Sequence, residues 1–192
     1  MESIHSDRLN LIPMTPAFLR ASLERNVHEA EQQLQLSLPA DWPGEYITGV
    51  LSLRLKQLED EPALQPWLLR AMALRETGVM IGHIGFHTAP GADYLRPFSP
   101  GGVEFGFTVF PSYRRRGYAR EASLALMLWA RKTAGVTKFV VSIRPDNTAS
   151  QALAAHLGFV HVGSHLDEVD GIEDVLEYRV SDDEAATRQA NP

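Results

Sequence analysis

A basic segment between Arg114 and Arg120 is the part of the sequence whose residue types and spacing best suit ligand binding. It lies between a predicted strand and a predicted helix, and Gly117 supplies the backbone freedom of a tight turn. A turn that opens a helix gathers unpaired backbone N–H groups and the positive end of the helix dipole at one place. Flanking arginines add to that positive field. The segment predicts an anion site for a phosphate group, although a solvated basic turn hinged at Gly117 has the same composition.

Motif spacing excludes several other sites. No Gly-Lys-Ser/Thr follows the turn, as a P-loop requires, and the three-glycine dinucleotide fingerprint is absent. No His-Glu-x-x-His or comparable ligand spacing occurs, so we expect no metal site. His83 and His87 fall on one face of a predicted strand, where they either line a pocket or bond to nearby backbone.

Glu104 is a candidate general base. It begins a predicted central strand and shares one face with Gly106 and Thr108, because side chains alternate along a strand. A carboxylate within about 3 Å of an attacking group, directly or through one water, can remove its proton. The alternative interpretation is a solvated surface carboxylate.

Composition excludes several classes of protein. The 192 residues, 44% of them hydrophobic, fit a single globular domain, which we place at residues 1–180. The chain has no cysteine, which excludes disulfide scaffolds, cysteine metal sites and a covalent cysteine intermediate. Eighteen Lys and Arg against 24 Asp and Glu give a net charge of −6, which argues against general binding to nucleic acid or anionic membranes. No apolar run reaches the ~18 residues of a membrane helix and residues 1–10 carry no signal pattern, so we expect a cytoplasmic protein.

Local periodicity predicts the elements that must position the candidate residues. Thr15 and Pro16 are typical of a helix start. The predicted helices are Pro16 to about Arg25, Glu45–Glu59, Glu121–Lys132 and Thr148–Leu157. The predicted strands are Leu9–Ile12, Trp67–Leu74, Val79–His87, Val103–Phe110, Phe139–Ile143, Phe159–Gly163 and Val175–Val180. This order predicts an α/β (α+β) fold with a mixed sheet and helices packed on it, and residues 181–192 predict a flexible acidic tail.

The basic segment resembles a known family. Arg114-x-x-Gly117-x-Ala119, directly after the strand from Glu104 to Val109, is similar to the Arg/Gln-x-x-Gly-x-Gly/Ala acyl-CoA pyrophosphate loop of the GCN5-related N-acetyltransferases, or GNAT superfamily. The resemblance implies a mixed, mostly antiparallel central sheet of about seven strands, with helices on both faces.

Further motifs point to one branch of that superfamily. Residues 146–150, followed by Leu157, Gly158 and Phe159, are similar to the Asn-x-x-Ser…Gly-Phe segment of the branch related to the RimJ and RimL protein N-terminal acetyltransferases. Residues 6–11 and 170–178 also fit that branch. The resemblance therefore covers about residues 6–180 of the chain.

The resemblance implies a binding site for acetyl-CoA as the acyl donor. In the family, the pantetheine arm pairs with the strand before the loop, and the loop holds the pyrophosphate. The residues that the resemblance assigns to this site are Phe107, Thr108, Val109, Arg114, Arg115, Arg116, Gly117, Tyr118, Ala119, Arg120 and Asn147. For Phe107 and Val109, ordinary core packing is compatible with this role because the contact would be through backbone.

The same resemblance implies catalytic roles. Ser150 would donate a proton to the departing CoA thiolate, because the tyrosine of many relatives, four residues before the Gly-Phe pair, is Ala154 here. Asn147 would bind the pantetheine arm. Asn147 is equally a natural helix cap, and Thr148-x-x-Gln151 fits a capping box, so this stretch can also be purely structural.

The general base has a second candidate. In the RimL branch, an acidic residue shortly before the late glycine is the positional match, and this falls on Asp167, an aspartate where the family has glutamate, with Glu168 adjacent. Like Glu104, either residue can instead be a solvated carboxylate.

These inferences predict an N-acetyltransferase that transfers an acetyl group to a primary amine, of a protein N-terminus or of a small molecule, by direct attack in a ternary complex. The alternative is a non-catalytic acyl-CoA-binding or regulatory domain, and a homodimer stays open. The resemblance places the acceptor pocket at residues 26–59, with Trp42 and Tyr46, and at the loop 89–102, with Tyr94 and Phe98. Those aromatic side chains either line a pocket or anchor their loops.

Overall fold

The computed structural model describes residues 2–167 and 171–181, except for the side chains of Glu45 and Tyr46. Glu168, Asp170 and all but the first residue of the predicted tail lie outside the described residues. The strands are β1 (Ile4–His5), β2 (Leu9–Pro13), β3 (Arg70–Leu74), β4 (Met80–Phe86), β5 (Val103–Val109), β6 (Lys138–Ile143), β7 (Val160–Asp167) and β8 (Gly171–Arg179). The helices are α1 (Pro16–Leu23), α2 (Val27–Leu34), α3 (Glu45–Asp60), α4 (Tyr118–Ala134) and α5 (Thr148–Leu157).

The strands form one mixed, mostly antiparallel sheet in the order β1-β2-β3-β4-β5-β6-β8-β7. β5 and β6 run parallel, whereas β1–β2, β2–β3, β3–β4, β6–β8 and β7–β8 pair antiparallel. The predicted fold class is confirmed. The sheet has eight strands in the described residues where about seven were expected, because β1 is a two-residue strand that pairs only with β2 and has no periodicity of its own.

By the density of its contacts, the described part of the chain divides into two compact units, one within residues 2–89 and 106–129 and the other within residues 90–105, 130–167 and 171–181. The single domain expected for residues 1–180 stays a prediction. None of the helices in the described part of the chain combines the length and the apolarity of a transmembrane span.

The first unit is organised by helices packed on β2, β3 and β4. α1 starts as predicted, with the Thr15 hydroxyl accepting a hydrogen bond from the Phe18 N–H at 3.2 Å and Pro16 at the first helical position. Its buried face, which includes Phe18 and Leu19, joins a core that also contains Leu51 of α3 and Ala71 of β3. Burial of these apolar side chains is the main favourable term for this unit.

A buried arginine ties several of these elements together. Arg70 of β3 is only 1% exposed, and its guanidinium donates to the carbonyls of Glu2, Leu11 and Pro66. It also lies 4.9 Å from the ring centroid of Trp129 in α4, which is a cation–π contact. Burial lowers the pKa of Arg70 to about 10, so the guanidinium is still charged at neutral pH.

Gly82 sets the spacing between β4 and the end of β5. A Cβ atom at this position would lie 2.2 Å from the Thr108 carbonyl oxygen and 3.1 Å from the Val109 Cα. The Phe110 N–H donates to the Ile81 carbonyl at 2.8 Å, directly beside this approach. Only glycine leaves room for the Thr108 backbone at its observed position.

The second unit is built on β6, β7 and β8 with α5. β8 pairs with β6 from Lys138–Arg179 to Ile143–Asp174, and with β7 from Val160–Glu177 to Asp167–Gly171. β7 continues to Asp167 and β8 begins at Gly171, both beyond the predicted ends. Side chains in these added parts are mostly not buried, so no apolar pattern marked them, and backbone pairing alone defines the ends. Phe159 packs between the rings of Phe105 and Tyr178.

We expect Gly82→Ala to destabilise the protein by about 2 kcal/mol, because the added methyl overlaps a backbone oxygen that cannot rotate away. Gly49→Ala is the matched control. Gly49 lies within α3, a methyl there meets nothing within 4 Å, and alanine should raise stability by about 0.5 kcal/mol. Chemical denaturation of both variants measures the two free energies of unfolding, and an unchanged value for Gly82→Ala would contradict the packing argument.

Candidate functional site

The turn that joins β5 to α4 has an unusual backbone. After a short 3₁₀ turn at Pro111–Tyr113, Arg115 has φ +61° and Gly117 has φ +81°. Both values lie in the left-handed region, which costs a non-glycine residue about 1 kcal/mol. α4 begins at the next residue, Tyr118. Two left-handed residues therefore turn the chain from strand to helix within a few positions.

The start of α4 gathers backbone donors that have no acceptor inside the helix. The Glu121 N–H bonds to the Gly117 carbonyl at 3.1 Å, and the N–H groups of the preceding first turn, at Tyr118, Ala119 and Arg120, have no carbonyl within the helix to bond. With the helix dipole, such groups favour a phosphate or carboxylate. The side chains of Arg114, Arg115, Arg116 and Arg120 are exposed around them. The geometry fits the anion site that the sequence predicts.

Two of these arginines also stabilise the turn. Arg114 Nε donates to the Val109 carbonyl at 2.9 Å, which joins the turn to the last residue of β5. The guanidinium of Arg116 lies 5.7 Å from the Tyr113 ring centroid. Arg114 and Arg116 thus have structural contacts, whereas the Arg115 side chain between them is exposed.

Arg8 and Glu121 form an ion pair beside the turn that sequence reasoning missed. Arg8 Nε donates to Glu121 Oε2 at 2.6 Å, and the Arg8 N–H and the Ser6 hydroxyl both donate to Oε1 at 2.7 Å. Partial burial would raise the pKa of Glu121, but the hydrogen bonds from Arg8 and Ser6 and the charge of Arg8 outweigh it and hold this pKa below its usual value. No sequence motif connects these positions, because they are separated by more than a hundred residues.

The three predicted β5 residues differ in exposure. Val109 is buried, Phe107 is half-buried and Thr108 is exposed. Core packing therefore accounts for the Val109 side chain, and its carbonyl accepts from Arg114. A role for these residues in binding would be through the backbone.

Glu104 is not a solvated surface carboxylate. It is 5% exposed, and Ser142 Oγ donates to its Oε1 at 2.5 Å. The parallel register pairs Glu104 with Val140, two residues before Ser142, so the β5–β6 pairing brings the hydroxyl and the carboxyl together. A buried carboxyl group held by a hydroxyl is chemically able to exchange a proton with a bound amine.

Asn147 caps α5. Its Oδ1 accepts from the Ser150 N–H at 3.2 Å, and Ser150 lies half-buried in the first helical turn. The capping box expected from Thr148 and Gln151 is wrong. Because Asn147 is the cap, Gln151 falls one position too late for the box, and its amide instead donates to the Ile143 carbonyl and to Asp174 Oδ2.

Asp167 belongs to a cluster that the sequence does not indicate. The β7–β8 register places His165 opposite Glu173 and Asp167 opposite Gly171. Ligand atoms of His165, Asp167 and Glu173 all lie within 4.8 Å of one another, and the three residues are half-buried. An imidazole with two carboxylates is a donor set able to relay a proton or to hold a divalent cation.

His83 and His87, both expected on one strand, lie in packed surroundings, although β4 ends at Phe86 and His87 follows it. His83 of β4 is 9% exposed, and burial lowers its pKa to about 4, so its imidazole is neutral at physiological pH. The His87 carbonyl accepts from Arg54 Nη1 at 2.9 Å and from Gln57 Nε2 at 3.2 Å. The His87 ring packs against Gly106, where a Cβ atom would lie 3.1 Å from Nε2. The His87 ring thus packs against β5, and its expected bond to nearby backbone stays a prediction.

The aromatic residues expected around an acceptor separate into anchors and exposed groups. Trp42 is 5% exposed, contacts the Phe18 ring and donates from Nε1 to Ser22 Oγ at 2.9 Å, so it anchors its loop. Phe98 packs onto Gly163, where an added Cβ would overlap its ring. Tyr94 is 51% exposed, and the Tyr46 side chain lies outside the described part of the structure.

Comparison with known proteins connects these features to one family. The sequence model described as Acetyltransferase (GNAT) domain matches residues 8–160. The chain is 24% identical over 163 residues to a Bacillus subtilis protein named uncharacterized N-acetyltransferase YjdG. This match covers 83% of this chain and 90% of that protein. A solved acetyltransferase from Agrobacterium tumefaciens matches with a TM-score of 0.59 and 25% identity over 94% of this chain and 95% of that one. RimL, named a ribosomal L7/L12 alpha-N-protein acetyltransferase and solved in complex with coenzyme A, matches with a TM-score of 0.58 and 23% identity over 92% and 96% of the two chains.

The cap at α5 generates a stability prediction. Asn147→Ala should lower the free energy of unfolding by about 1 kcal/mol, because the Ser150 N–H loses its acceptor. Asn147→Asp should leave stability near the wild-type value, since a carboxylate oxygen also caps a helix. Denaturant titration of both variants measures this, and equal stability of the two would mean that the cap contributes nothing.

Proposed function

Because the chain belongs to the GNAT acetyltransferase family, we propose that it transfers the acetyl group of acetyl-CoA to a primary amine by direct attack in a ternary complex. The observation that carries the proposal is the β5–α4 turn, in which left-handed residues at Arg115 and Gly117 lead directly into the N-terminus of α4. The family match, which includes this turn, supports acetyl-CoA as the donor.

The turn suits the diphosphate of acetyl-CoA. Backbone N–H groups at Tyr118, Ala119 and Arg120, together with the exposed side chains of Arg115 and Arg116, would receive its negative charge. The backbone of Phe107, Thr108 and Val109, the turn residues Arg114 and Gly117, and the Asn147 side chain complete the set proposed for the donor. RimL, a protein of the same fold, was solved with coenzyme A, which supports coenzyme A as the class of ligand.

The transfer itself needs one group to accept a proton and one to donate a proton. The amine nitrogen forms a bond to the thioester carbonyl carbon and gives up a proton, and the carbon–sulfur bond then breaks. We assign proton donation to the thiolate to Ser150, in the first turn of α5. The tyrosine of many relatives is replaced here by Ala154, which is 4% exposed and has no proton to donate. Glu104 and Asp167 are the two proposed proton acceptors.

Two classes of acceptor amine remain candidates. RimL is named for a protein N-terminus, whereas an Aspergillus fumigatus relative, 27% identical over 101 residues, is named FsC-acetyl coenzyme A-N(2)-transacetylase. A test of acceptors should therefore contain both peptides with free N-termini and small amines.

The buried alanine at Ala154 favours one alternative function, a domain that binds acyl-CoA without turnover. Binding of acetyl-CoA with no product from either class of amine would support that alternative.

We expect acetyl-CoA to bind the wild-type protein in a calorimetric titration and Gly117→Asp to abolish the binding. Aspartate there introduces negative charge and a side chain at φ +81° into the diphosphate site. Gly78→Asp is the matched control, because Gly78 has φ +67° and a Cβ there meets nothing within 4 Å. Free CoA and NADH serve as comparison ligands.

Each result of this titration has a definite meaning. Selective binding that Gly78→Asp retains and Gly117→Asp loses supports the donor site. An equal loss in both variants indicates strain alone rather than a defect of the site. Absence of binding to the wild-type protein means that the arginine turn is a solvated loop, and the proposed function then fails.

We expect Ser150→Ala to lower kcat by roughly 10²-fold while the KM for acetyl-CoA changes little, because the hydroxyl is assigned to proton transfer. The cap is preserved in this variant, since Asn147 accepts from the backbone N–H of residue 150. Steady-state kinetics with the preferred amine measures the two constants. A parallel loss of affinity and turnover would identify Ser150 as a binding residue instead.

A further inference from the structure

We propose that Arg8 is a positioning residue for the donor turn, holding the diphosphate-binding backbone in place and cancelling the charge of Glu121 beside it. The inference rests on the proposed function, because it concerns the affinity of the same site for CoA. Arg8 stands 113 positions before Glu121 in the chain, just before β2.

The Arg8 guanidinium contacts several residues of the β5–α4 turn. Arg8 Nη1 donates to the Arg116 carbonyl at 3.1 Å, and Nε donates to Glu121 at 2.6 Å. A methyl group added at Gly117 would lie 3.4 Å from Arg8 Nη2. The guanidinium carbon lies 4.5 Å from the ring centroid of Tyr118, in cation–π contact. Arg8 therefore touches the residue before Gly117, Gly117 itself and the first turn of α4.

The negative charge of Glu121 would oppose an anion bound at the turn, and the ion pair with Arg8 offsets that charge. A carboxylate in the first turn of a helix satisfies the same N-terminal dipole that a diphosphate would use, and its negative charge opposes a second anion nearby. Its side chain is only 16% exposed, so water screens it incompletely. The ion pair with Arg8 removes that opposition and leaves the arginines of the turn as a net positive field.

The backbone of Arg8 is itself fixed. The Arg8 carbonyl accepts from the Arg75 N–H at 2.9 Å, and Arg75 Nη1 donates to the Ser6 carbonyl at 2.9 Å. The next residue, Leu9, is fully buried and pairs with Leu74 of β3. The guanidinium thus reaches the turn from a backbone that is held by the bonds to Arg75 and by the pairing of β2 with β3.

The test is the dissociation constant of free CoA, measured by calorimetry, with the thermal midpoint of each variant. Arg8→Met should weaken CoA binding about tenfold, because the ion pair and the bond to Arg116 are lost together. Arg8→Lys should recover part of the affinity, since it keeps the charge without bridging both partners. The double variant Arg8→Met/Glu121→Gln should bind CoA more tightly than Arg8→Met alone, because the uncompensated carboxylate is gone. Arg20→Met is the matched control, since Arg20 forms a comparable 2.7 Å ion pair with Glu59 on the surface of the same unit.

These arms separate the possible failures. Affinity of Arg8→Met within twofold of the wild type overturns the proposal, and so does a loss that Arg20→Met reproduces. A loss that follows a lowered thermal midpoint and is not relieved by lysine or by Glu121→Gln shows a purely structural role, which also overturns it. A wild-type protein that does not bind CoA rejects the proposed function, and the role of Arg8 is rejected with it.

Discussion

The left-handed backbone at Arg115 and Gly117 is the constraint on which the candidate donor site depends. Without it, the chain would not pass from β5 into α4 with the first-turn N–H groups gathered at one place. A φ of +61° is sterically unfavourable for Arg115, and such strain persists only where the surroundings stabilise it. Here the surroundings are hydrogen bonds from Arg114 to the Val109 carbonyl and from Arg8 to the Arg116 carbonyl, one on each side of the strained residue.

Local signals explain which elements could be predicted from the sequence. Thr15 with Pro16 predicts the start of α1, and the predicted helix Thr148–Leu157 agrees with α5 at both ends because Asn147 caps one end and Gly158, at φ +88°, closes the other. The arginine turn was recognisable for the same reason, since its glycine and its position between strand and helix are local properties. α4 began earlier than predicted, at Tyr118, because its first residues are also the residues of the turn.

Interactions between distant segments explain what could not be predicted. The Arg8–Glu121 ion pair, the Ser142–Glu104 hydrogen bond and the cluster of His165, Asp167 and Glu173 each depend on strand register or on packing. A one-residue change of register would reverse the face of every side chain in a strand. Strand position identified Glu104 and the family resemblance identified Asp167, but neither signal showed that Glu104 is buried beside a hydroxyl or that Asp167 is half-buried beside an imidazole.

The structural and functional interpretations of Asn147 are compatible because an amide has two ends. Its oxygen accepts the Ser150 N–H and so completes the helix start, which is the structural role. Its NH₂ group is a donor, and the cap makes no use of it. The cap fixes the orientation of that donor, since rotation of the amide would break the bond to Ser150. The NH₂ group of a residue that caps α5 in this way is held in one orientation, so Asn147→Ala removes a cap and an oriented donor together, whereas Asn147→Asp removes only the donor.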